Sequence, residues 1–449
     1  MSMAAPQGRK HLSADALFRL VRNGFARILD ARAAATGISV ADALRAAFAM
    51  VSLTAPSLLT FDKERVEGKW QTIYGIAHAP CDTYMRALLE PVSPESLRPS
   101  FQGVFRHLQR GTALEPMLFL QGASVLALDG TGSFSSTTMH CQSCLPKVHR
   151  NGSITSSHQR LGAAILHPDF RAGIPLRPEP IVHHDGRAKN DGERQAAKRF
   201  LIKLRQDHPP LNFLVTADRL SAHAPPIETR HEHGCPSMLG GKAGDQADLF
   251  TQVQAAEDAG RLAKDERHDR AAGVVHRCRF VNDVPLKASR ADVRVNCMAY
   301  GEIGKDMVQP FRWVTNVRVS TRNVYQRMRG GRARWKMEHE TVKTLQNQGD
   351  HFEHTDGHGE QNRSVVVATR MMLAFLVDQT HQRCGALCRA VWATLGSKRL
   401  GWERLRALFY GDHLEAMRAL LEALFYGYER HRPLLITDTS SCPPVSLSS

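Results

Sequence analysis

The sequence predicts an α/β fold in which a mixed β-sheet is flanked by helices. Residues 1–115 have the apolar spacing of amphipathic helices, and short apolar runs typical of strands begin at Ser124. Further along, strand-like runs alternate with helical segments, the pattern that predicts a sheet covered by helices. The chain has 449 residues, more than one ordinary core organises, so we expect several domains.

Composition limits the classes of protein to which the chain belongs. The 42% of apolar residues is typical of a globular protein, and no apolar run reaches the roughly 18 residues that cross a membrane. The N-terminus lacks the apolar segment of a signal peptide, and nine cysteines are an odd number spread over a long chain. We therefore expect a cytoplasmic protein without a membrane partner or a disulfide framework.

The chain is strongly basic. It has 59 Lys and Arg against 44 Asp and Glu, a formal charge of +15 at neutral pH. Cationic side chains bind polyanions by releasing the counterions condensed on phosphates. Nucleic acid is therefore the expected partner, and a basic protein without such a partner is the alternative.

Residues 1–115 are predicted to form a helical N-terminal region. Ser13 has the residue type and position of an N-cap, and a second amphipathic helix is predicted over residues 40–51. Four arginines give the region a basic surface, namely Arg86, Arg98, Arg106 and Arg110. The region is either a DNA-binding module or a helical cap, since no recognition-helix pattern decides between them.

Two predicted strands end in an aspartate. The run 125–128 precedes Asp129, with a turn expected at Gly130, and the run 211–216 precedes Asp218. Acids at the ends of neighbouring strands face a common crevice, so we expect the two carboxylates to lie close together. The other elements predicted here are strands at 161–166, 174–182 and 237–240 and a helix at 190–206.

The rest of the chain divides into a β-rich insertion, a helical region and a tail. Strand-like runs at 274–281, 293–300 and 311–317 lie in the insertion, with a turn expected at 282–283. The predicted boundaries are 120–245 for the first part of the sheet domain, 246–320 for the insertion, 321–430 for its helical completion and 431–449 for a disordered tail.

Cationic residues crowd the start of the last helical region, directly before Glu338. Their density favours contact with a DNA backbone over a merely solvated helix face. The predicted DNA-binding residues are Tyr325, Arg327, Arg329, Arg332, Arg334, Lys336 and, after the strand at 237–240, Lys242.

Asp129, Asp218 and Glu338 together have the chemistry of a divalent-metal site. Hard cations such as Mg²⁺, or Mn²⁺ in its place, take oxygen ligands. Two such ions about 4 Å apart activate a water or a 3′-hydroxyl for in-line attack on a phosphodiester. Physical reasoning alone does not select these three acids among the 44 in the chain.

A longer motif selects them. The segment Arg334–Glu338, RWKME, resembles the Arg-x-x-x-Glu core of the Tyr-Arg-Glu-Lys signature of DDE insertion-sequence transposases. The resemblance extends from about Phe61 to Tyr428. Further stretches that look like one clade of these enzymes are 128–134, 149–152, 189–191, 352–354 and 357–359. The sequence departs from the signature at Gly331, where a tyrosine is expected, and near Gln346, where a lysine is expected.

The resemblance implies a ribonuclease H-like catalytic domain with Asp129, Asp218 and Glu338 as its metal-binding triad. Glu340 is the alternative third acid if the helix register differs by two residues. A DNA transposase of a bacterial-type insertion sequence is implied, which cleaves element ends with Mg²⁺ and joins them to target DNA, as at least a homodimer at the nucleoid. The alternatives are an inactive DNA-binding relic or repressor, and a zinc-dependent hydrolase.

A cysteine pair raises the question of zinc. Cys141 and Cys144 have the short spacing of metal sites, with three histidines nearby, namely His140, His149 and His158. The zinc spacing is incomplete, so the favoured interpretation is a hairpin tip with reduced thiols.

Three other features have a structural interpretation that we favour over a functional one. His351, His354 and His358 crowd a loop rich in acids, where capping and substrate contacts are favoured over a metal. Residues 189–193 are interpreted as the start of a helix. Trp335 is expected to pack in the core, with stacking on a DNA base as the alternative.

Overall fold

The computed structural model describes most of the chain. The described residues are 10–30, 32, 37–55, 61–63, 70–141, 144–171, 173–182, 189–218, 235–241, 244, 246–287, 290–303, 311–337, 358–412 and 414–427. The predicted tail and three predicted site residues, Lys242, Glu338 and Glu340, lie outside these ranges.

The helices lie mainly at the two ends of the described chain. They are α1 (Ala14–Ala26), α2 (Val40–Ser52), α3 (Trp70–Tyr74), α4 (Asp82–Leu89), α5 (Arg98–Arg110), α6 (Lys189–Asp207), α7 (Ala247–Asp258), α8 (Val324–Arg332), α9 (Arg363–Cys384), α10 (Ala386–Leu395), α11 (Lys398–Gly411) and α12 (Met417–Tyr426). Ser13 is the N-cap that the sequence predicts, because its hydroxyl accepts a hydrogen bond from the Ala16 amide at 3.3 Å. The buried helix α9 packs on α2, so the N-terminal and C-terminal helices share one core.

One mixed sheet of twelve strands runs through the described residues. The strands are β1 (Leu118–Leu120), β2 (Ala123–Ser136), β3 (Leu145–Val148), β4 (Ile154–Leu166), β5 (Ile174–Pro175), β6 (Glu179–Ile181), β7 (Phe213–Ala217), β8 (Ser237–Gly240), β9 (Ala263–Asp269), β10 (Val274–Lys287), β11 (Arg290–Ile303) and β12 (Phe311–Thr315). Their order is β3-β4-β2-β7-β8-β12-β11-β10-β9, with β1 beside β2 and with β5 and β6 beside β4. The predicted mixed sheet flanked by helices is thereby confirmed.

Strand direction changes at β2, near the centre of the sheet. β2 is antiparallel to β4 and parallel to β7, which is in turn parallel to β8. Side chains alternate along β2, so Leu126 and Leu128 join the core that contains α6, whereas Ala127 packs with Met337 in a separate cluster. Both faces of the central strands are therefore covered.

The predicted β insertion is continuous with the central sheet. It begins with a helix, α7, and then forms an antiparallel meander of β9 to β12. β12 pairs with β8, with Trp313 opposite Gly240. Backbone groups along that side of β8 thus find partners in the insertion, which makes the inserted strands part of the same sheet.

Two predicted turns are wrong. β2 continues through Gly130 to Ser136, because β4 pairs with it over that whole length. The predicted turn at 282–283 lies within β10, where Asp283 has a φ of 61° and the pairing with β11 shifts, which defines a β-bulge. Among the described residues, no helix is long and apolar enough to span a membrane.

Candidate active site at paired strand ends

Asp129 and Asp218 come directly after paired residues of two neighbouring parallel strands. Leu128 on β2 pairs with Ala217 on β7, and this is the last pair between the two strands. Neighbouring strands lie about 4.8 Å apart, so the main chain at Asp129, which continues β2, and the main chain at Asp218, which follows the end of β7, lie side by side. This register agrees with the prediction that the two acids are neighbours. The Asp129 side chain is 23% exposed and Asp218 is half-buried, so solvent reaches both.

Arg334 lies beside the first of these acids. Its Nη1 is 3.7 Å from Oδ1 of Asp129, and the arginine side chain is 28% exposed. A guanidinium at this distance stabilises the ionised carboxylate and offers further donors to a phosphate. The predicted association of Arg334 with the acidic site is consistent with this geometry.

Met337 holds the segment after Arg334 against the sheet. It is 1% exposed and packs with Ala127 and Ala164. A Cβ atom at Gly162, the residue that pairs with Asp129, would lie 2.9 Å from the Met337 methyl carbon. Glycine at that position therefore allows the close approach. The chain thus reaches the Asp129 face of the sheet one residue before Glu338, which itself lies outside the described residues.

A third acid, Glu193 on α6, approaches the same strand from the other face. A Cβ atom at Gly130 would overlap its carboxylate, so the glycine after Asp129 makes room for it. The sequence analysis assigned this glutamate only to the start of a helix. In the sequence, the one sign of this contact is the glycine next to Asp129. A glycine indicates that space is needed at position 130, but not which distant side chain occupies it.

Two of the predicted DNA contacts are buried, which contradicts that role. Arg327 is 2% exposed, and burial lowers the pKa of its guanidinium. Lys336 is 8% exposed, and its ammonium donates to the carbonyl oxygens of His167, Pro168 and Phe170 at 2.5 to 3.0 Å. Lys336 therefore ties the end of the basic segment to the turn after β4.

Three other predicted DNA contacts are partly exposed and already interact within the protein. Arg329 forms an ion pair with Asp169, and Arg332 lies 3.3 Å from Glu302. Tyr325 is half-buried, with an arginine guanidinium 4.8 Å from the centre of its ring. Binding of DNA phosphates by these residues would require them to exchange partners, and this role stays a prediction.

The expected core packing of Trp335 is wrong. Its side chain is 46% exposed, whereas Met337, two residues later, fills the core position. The helix α8 ends at Arg332, a two-residue turn follows at 333–334, and residues 335–337 are helical again, so an uninterrupted helical period does not predict which side chain faces the sheet. The exposed indole suits the alternative interpretation, stacking on a base, which stays a prediction.

The donor set at the strand ends fits a hard divalent cation. Asp129 and Asp218 offer carboxylate oxygens from adjacent main chains, and both reach solvent, which Mg²⁺ needs because it keeps several of its waters. The positive charge of Arg334 stabilises Asp129 in its ionised, metal-binding form. Asp129 and Asp218 are therefore the described residues that could hold such an ion at this site.

A basic groove lies between α1 and α5 in the N-terminal region. Its volume is about 1070 Å³. The cationic residues that line it are Lys10, Arg19, Arg27, Arg106 and Arg110. Two of the four arginines that the sequence analysis singled out are engaged elsewhere, Arg86 with Asp82 and Arg98 with Asp207. The other two, Arg106 and Arg110, line the groove.

Two histidines from distant parts of the chain lie beside the cysteine pair. Cys141 and Cys144 lie beside His158 on β4 and His358, which precedes α9. His149 is not part of this group, since its ring bonds to the Thr155 hydroxyl. Burial lowers the pKa of His158 to about 4, so its imidazole is neutral at pH 7. The sequence analysis placed His358 in a different cluster because only the fold brings it to β4.

Comparisons with known proteins add no family to this description. No protein-family model matches the sequence, and no curated protein matches it significantly.

Proposed function

We propose that this protein is a DNA transposase of the DDE type, whose acidic site cleaves and joins DNA strands with divalent metal ions. The observation that carries the proposal is the register of β2 and β7, which places Asp129 and Asp218 side by side. Arg334, the arginine of the signature-like segment, lies next to Asp129. Asp129 and Asp218 are 89 positions apart in sequence (218 − 129), and Arg334 follows Asp129 by 205 positions (334 − 129), so only the fold brings them together, and the agreement with the sequence motif supports the proposal.

The arrangement of the chain around the acids supports the same function. The first acid is on the central strand β2, the second follows β7, and the strands β9 to β12 separate them from the segment that leads to Glu338. A β insertion before the glutamate-bearing helix is what the resemblance implies. We propose a ribonuclease H-like domain on this basis, with Glu338 as the third acid and Glu340 as the alternative.

Each described residue has a distinct task in the proposed reaction. Asp129 and Asp218 hold the cation, which when bound would activate the attacking hydroxyl and stabilise the leaving oxygen. Arg334 contacts a phosphate near the cut and compensates its charge. Met337 packs on the Asp129 face of the sheet, directly before the proposed third acid in sequence. Element ends, target DNA, a homodimer and association with the nucleoid are the partners and location that we propose.

The described residues argue against the zinc-dependent hydrolase. Catalytic zinc keeps one open coordination position, whereas Cys141, Cys144, His158 and His358 supply four ligand atoms within 4.8 Å of one another. A zinc ion bound by all four residues would have no open position for the water or substrate that hydrolysis requires.

The proposal is tested with the full chain and a DNA fragment that contains its coding sequence together with the flanking DNA on both sides. Cleavage is measured with and without added Mg²⁺ for the wild type and for Asp129→Asn, Asp218→Asn and Glu338→Gln. Glu340→Gln controls the register, and Asp283→Asn is an exposed aspartate control in the insertion. Binding to the same fragment is measured in parallel by gel shift.

Cleavage that needs Mg²⁺ and is lost in the first three variants, with binding kept, supports the proposal. Loss in Glu340→Gln instead of Glu338→Gln moves the third acid by two residues. DNA binding without cleavage by any form, including the wild type, would overturn the catalytic proposal in favour of a DNA-binding relic or repressor.

A further inference from the structure

Four potential metal ligands from three separate parts of the chain meet at one end of the sheet. Cys141 and Cys144 lie between β2 and β3, His158 is on β4, and His358 lies just before α9. We call these four residues the thiol–imidazole cluster. Cys144 and His158 are buried, and the other two are half-buried, so the cluster is largely shielded from solvent.

The distances within the cluster match tetrahedral coordination. The two sulfur atoms are 3.5 Å apart, and each is 3.5 Å from Nε2 of His158. Zinc bonds of 2.3 Å to sulfur and 2.0 to 2.1 Å to nitrogen place such ligands about 3.8 Å (S to S) and about 3.6 Å (S to N) apart at tetrahedral angles. The two sulfur atoms and Nε2 of His158 are therefore within a few tenths of an ångström of the separations that a zinc ion requires, and the fourth ligand atom, on His358, lies within 4.8 Å of them.

Two further features of the cluster suit a bound cation. The Cys141 amide donates to the Cys144 sulfur at 3.3 Å, which fixes the position of that sulfur. Among the described residues, Nδ1 of His358 is buried and has no hydrogen-bond partner. A buried ring nitrogen without a partner is unfavourable unless something not yet counted, such as a metal, accepts its lone pair.

An aromatic ring closes one side of the cluster. Phe134 on β2 stacks on the His358 ring with centroids 4.5 Å apart, and its ring centre is 5.8 Å from that of His158. This packing holds both imidazoles in place and limits the entry of water. The residues around a metal centre typically hold its ligands in a fixed orientation and exclude water.

We propose that the thiol–imidazole cluster binds one structural zinc ion through Cys141, Cys144, His158 and His358. Two thiolates and two neutral imidazoles prefer zinc to Mg²⁺, which takes oxygen ligands. With four protein ligands the site has no open position, so the ion stabilises the fold and takes no part in catalysis. The proposal does not depend on the transposase function.

The position of His358 gives the ion a specific structural task. The zinc joins the connection after β2 and the strand β4 to the residue that precedes α9. Residues 338–357, which carry the candidate third acid, lie between Met337, packed on the sheet, and His358. The ion would therefore fix the second end of that segment, as Met337 fixes the first.

The test measures metal in the full chain purified without chelators. Elemental analysis is done on the wild type and on Cys144→Ser, His158→Gln and His358→Gln. The matched controls are Cys81→Ser, at a half-buried cysteine just before α4, and His149→Gln, at a neighbouring histidine outside the cluster. Replacement by Co²⁺ supplies a second readout, because thiolate-bound tetrahedral cobalt has intense charge-transfer and d–d absorption.

We expect about one zinc per chain in the wild type and in both controls, and loss of most of it in the three cluster variants. The cobalt form of the wild type should have the tetrahedral spectrum. Wild-type protein that is folded and has two titratable thiols at Cys141 and Cys144 but no zinc would overturn the proposal. A Cys141–Cys144 disulfide, or stoichiometric iron or copper in place of zinc, would overturn it too. Should a variant fail to fold, the wild-type metal content and cobalt spectrum still decide.

Discussion

The two candidate metal centres lie on neighbouring strands of one sheet and differ in almost every other property. The acidic site, on β2 and directly after β7, presents carboxylate oxygens that solvent reaches, with the Arg334 guanidinium beside Asp129. The thiol–imidazole cluster presents sulfur and nitrogen atoms in a shielded place, with four ligands and no open position. One arrangement suits a hard ion that exchanges water and substrate, and the other suits an ion that stays.

The two centres are assembled in different ways. The aspartates of the acidic site are adjacent because the pairing of the parallel strands β2 and β7 ends at Leu128 and Ala217, so their proximity depends on register. The cluster is assembled from segments far apart in sequence, and a metal there would link them. Variants of the acidic site should therefore leave the zinc content unchanged, whereas loss of zinc would release one end of the segment that carries the candidate third acid.

The largest expected effect is on DNA cleavage, which distinguishes the acidic site from the thiol–imidazole cluster. Asp129→Asn and Asp218→Asn each remove a charged oxygen ligand, and we expect a loss of DNA cleavage of at least about 100-fold. Zinc content and thermal stability should stay at wild-type values. The experiment combines single-turnover cleavage, elemental analysis and calorimetry on the same preparations. Loss of zinc in either aspartate variant would show that the two centres are not independent.

Much of the fold was predictable from local pattern, because it rests on local chemistry. The apolar runs before Asp129 and Asp218 predicted strands, and the N-cap at Ser13 predicted a helix start. The acids were predicted as neighbours from the rule that strand ends share a crevice. Those inferences needed only the residues within one element and one general rule of sheet architecture.

The predictions that failed needed information from distant residues. Glycine at position 130 indicated a turn, but pairing with β4 continues the strand past it. Trp335 is expected in the core, yet a turn at 333–334 interrupts the helix before it, and Met337 is buried while Trp335 is exposed. The thiol–imidazole cluster is not predicted from the sequence, because His358 lies 200 residues after His158 (358 − 158) and no short spacing connects the two.

A second prediction tests whether Lys336 stabilises the fold or binds DNA. Lys336→Met keeps most of the side-chain volume but leaves three buried carbonyl oxygens without their charged donor. We expect a loss of about 2 kcal/mol in the free energy of unfolding. Denaturant unfolding of the full chain measures it, with Lys264→Met on β9 as a lysine control. DNA affinity per folded molecule should be unchanged, and a specific loss of affinity at wild-type stability would restore Lys336 to the DNA contacts.

A third prediction concerns Arg334, which lies beside Asp129 and is proposed to contact DNA. Arg334→Ala removes a charge beside Asp129 and a phosphate donor, and we expect cleavage to fall by about 10-fold to 100-fold. Arg334→Lys should recover part of this loss, because an ammonium keeps the charge but not the bidentate geometry. The two variants are compared in single-turnover cleavage at saturating DNA, with zinc content as the check on folding. Equal stability and unchanged cleavage in Arg334→Ala would remove Arg334 from the site.

The smallest expected effect tests whether the N-terminal groove belongs with the acidic site as a DNA surface. The double variant Arg106→Ala and Arg110→Ala removes two exposed charges from its wall. If both contact phosphates, the slope of log affinity against log salt should fall by about 1.8, or 0.9 for each contact. Arg399→Ala with Arg418→Ala removes two exposed charges from the C-terminal helices and serves as the matched control. Affinity is measured by fluorescence anisotropy over a series of salt concentrations. Equal slopes for both double variants would assign the groove no role in DNA binding and leave the N-terminal helices as a cap, because general loss of charge far from the DNA changes the slope little beyond a Debye length.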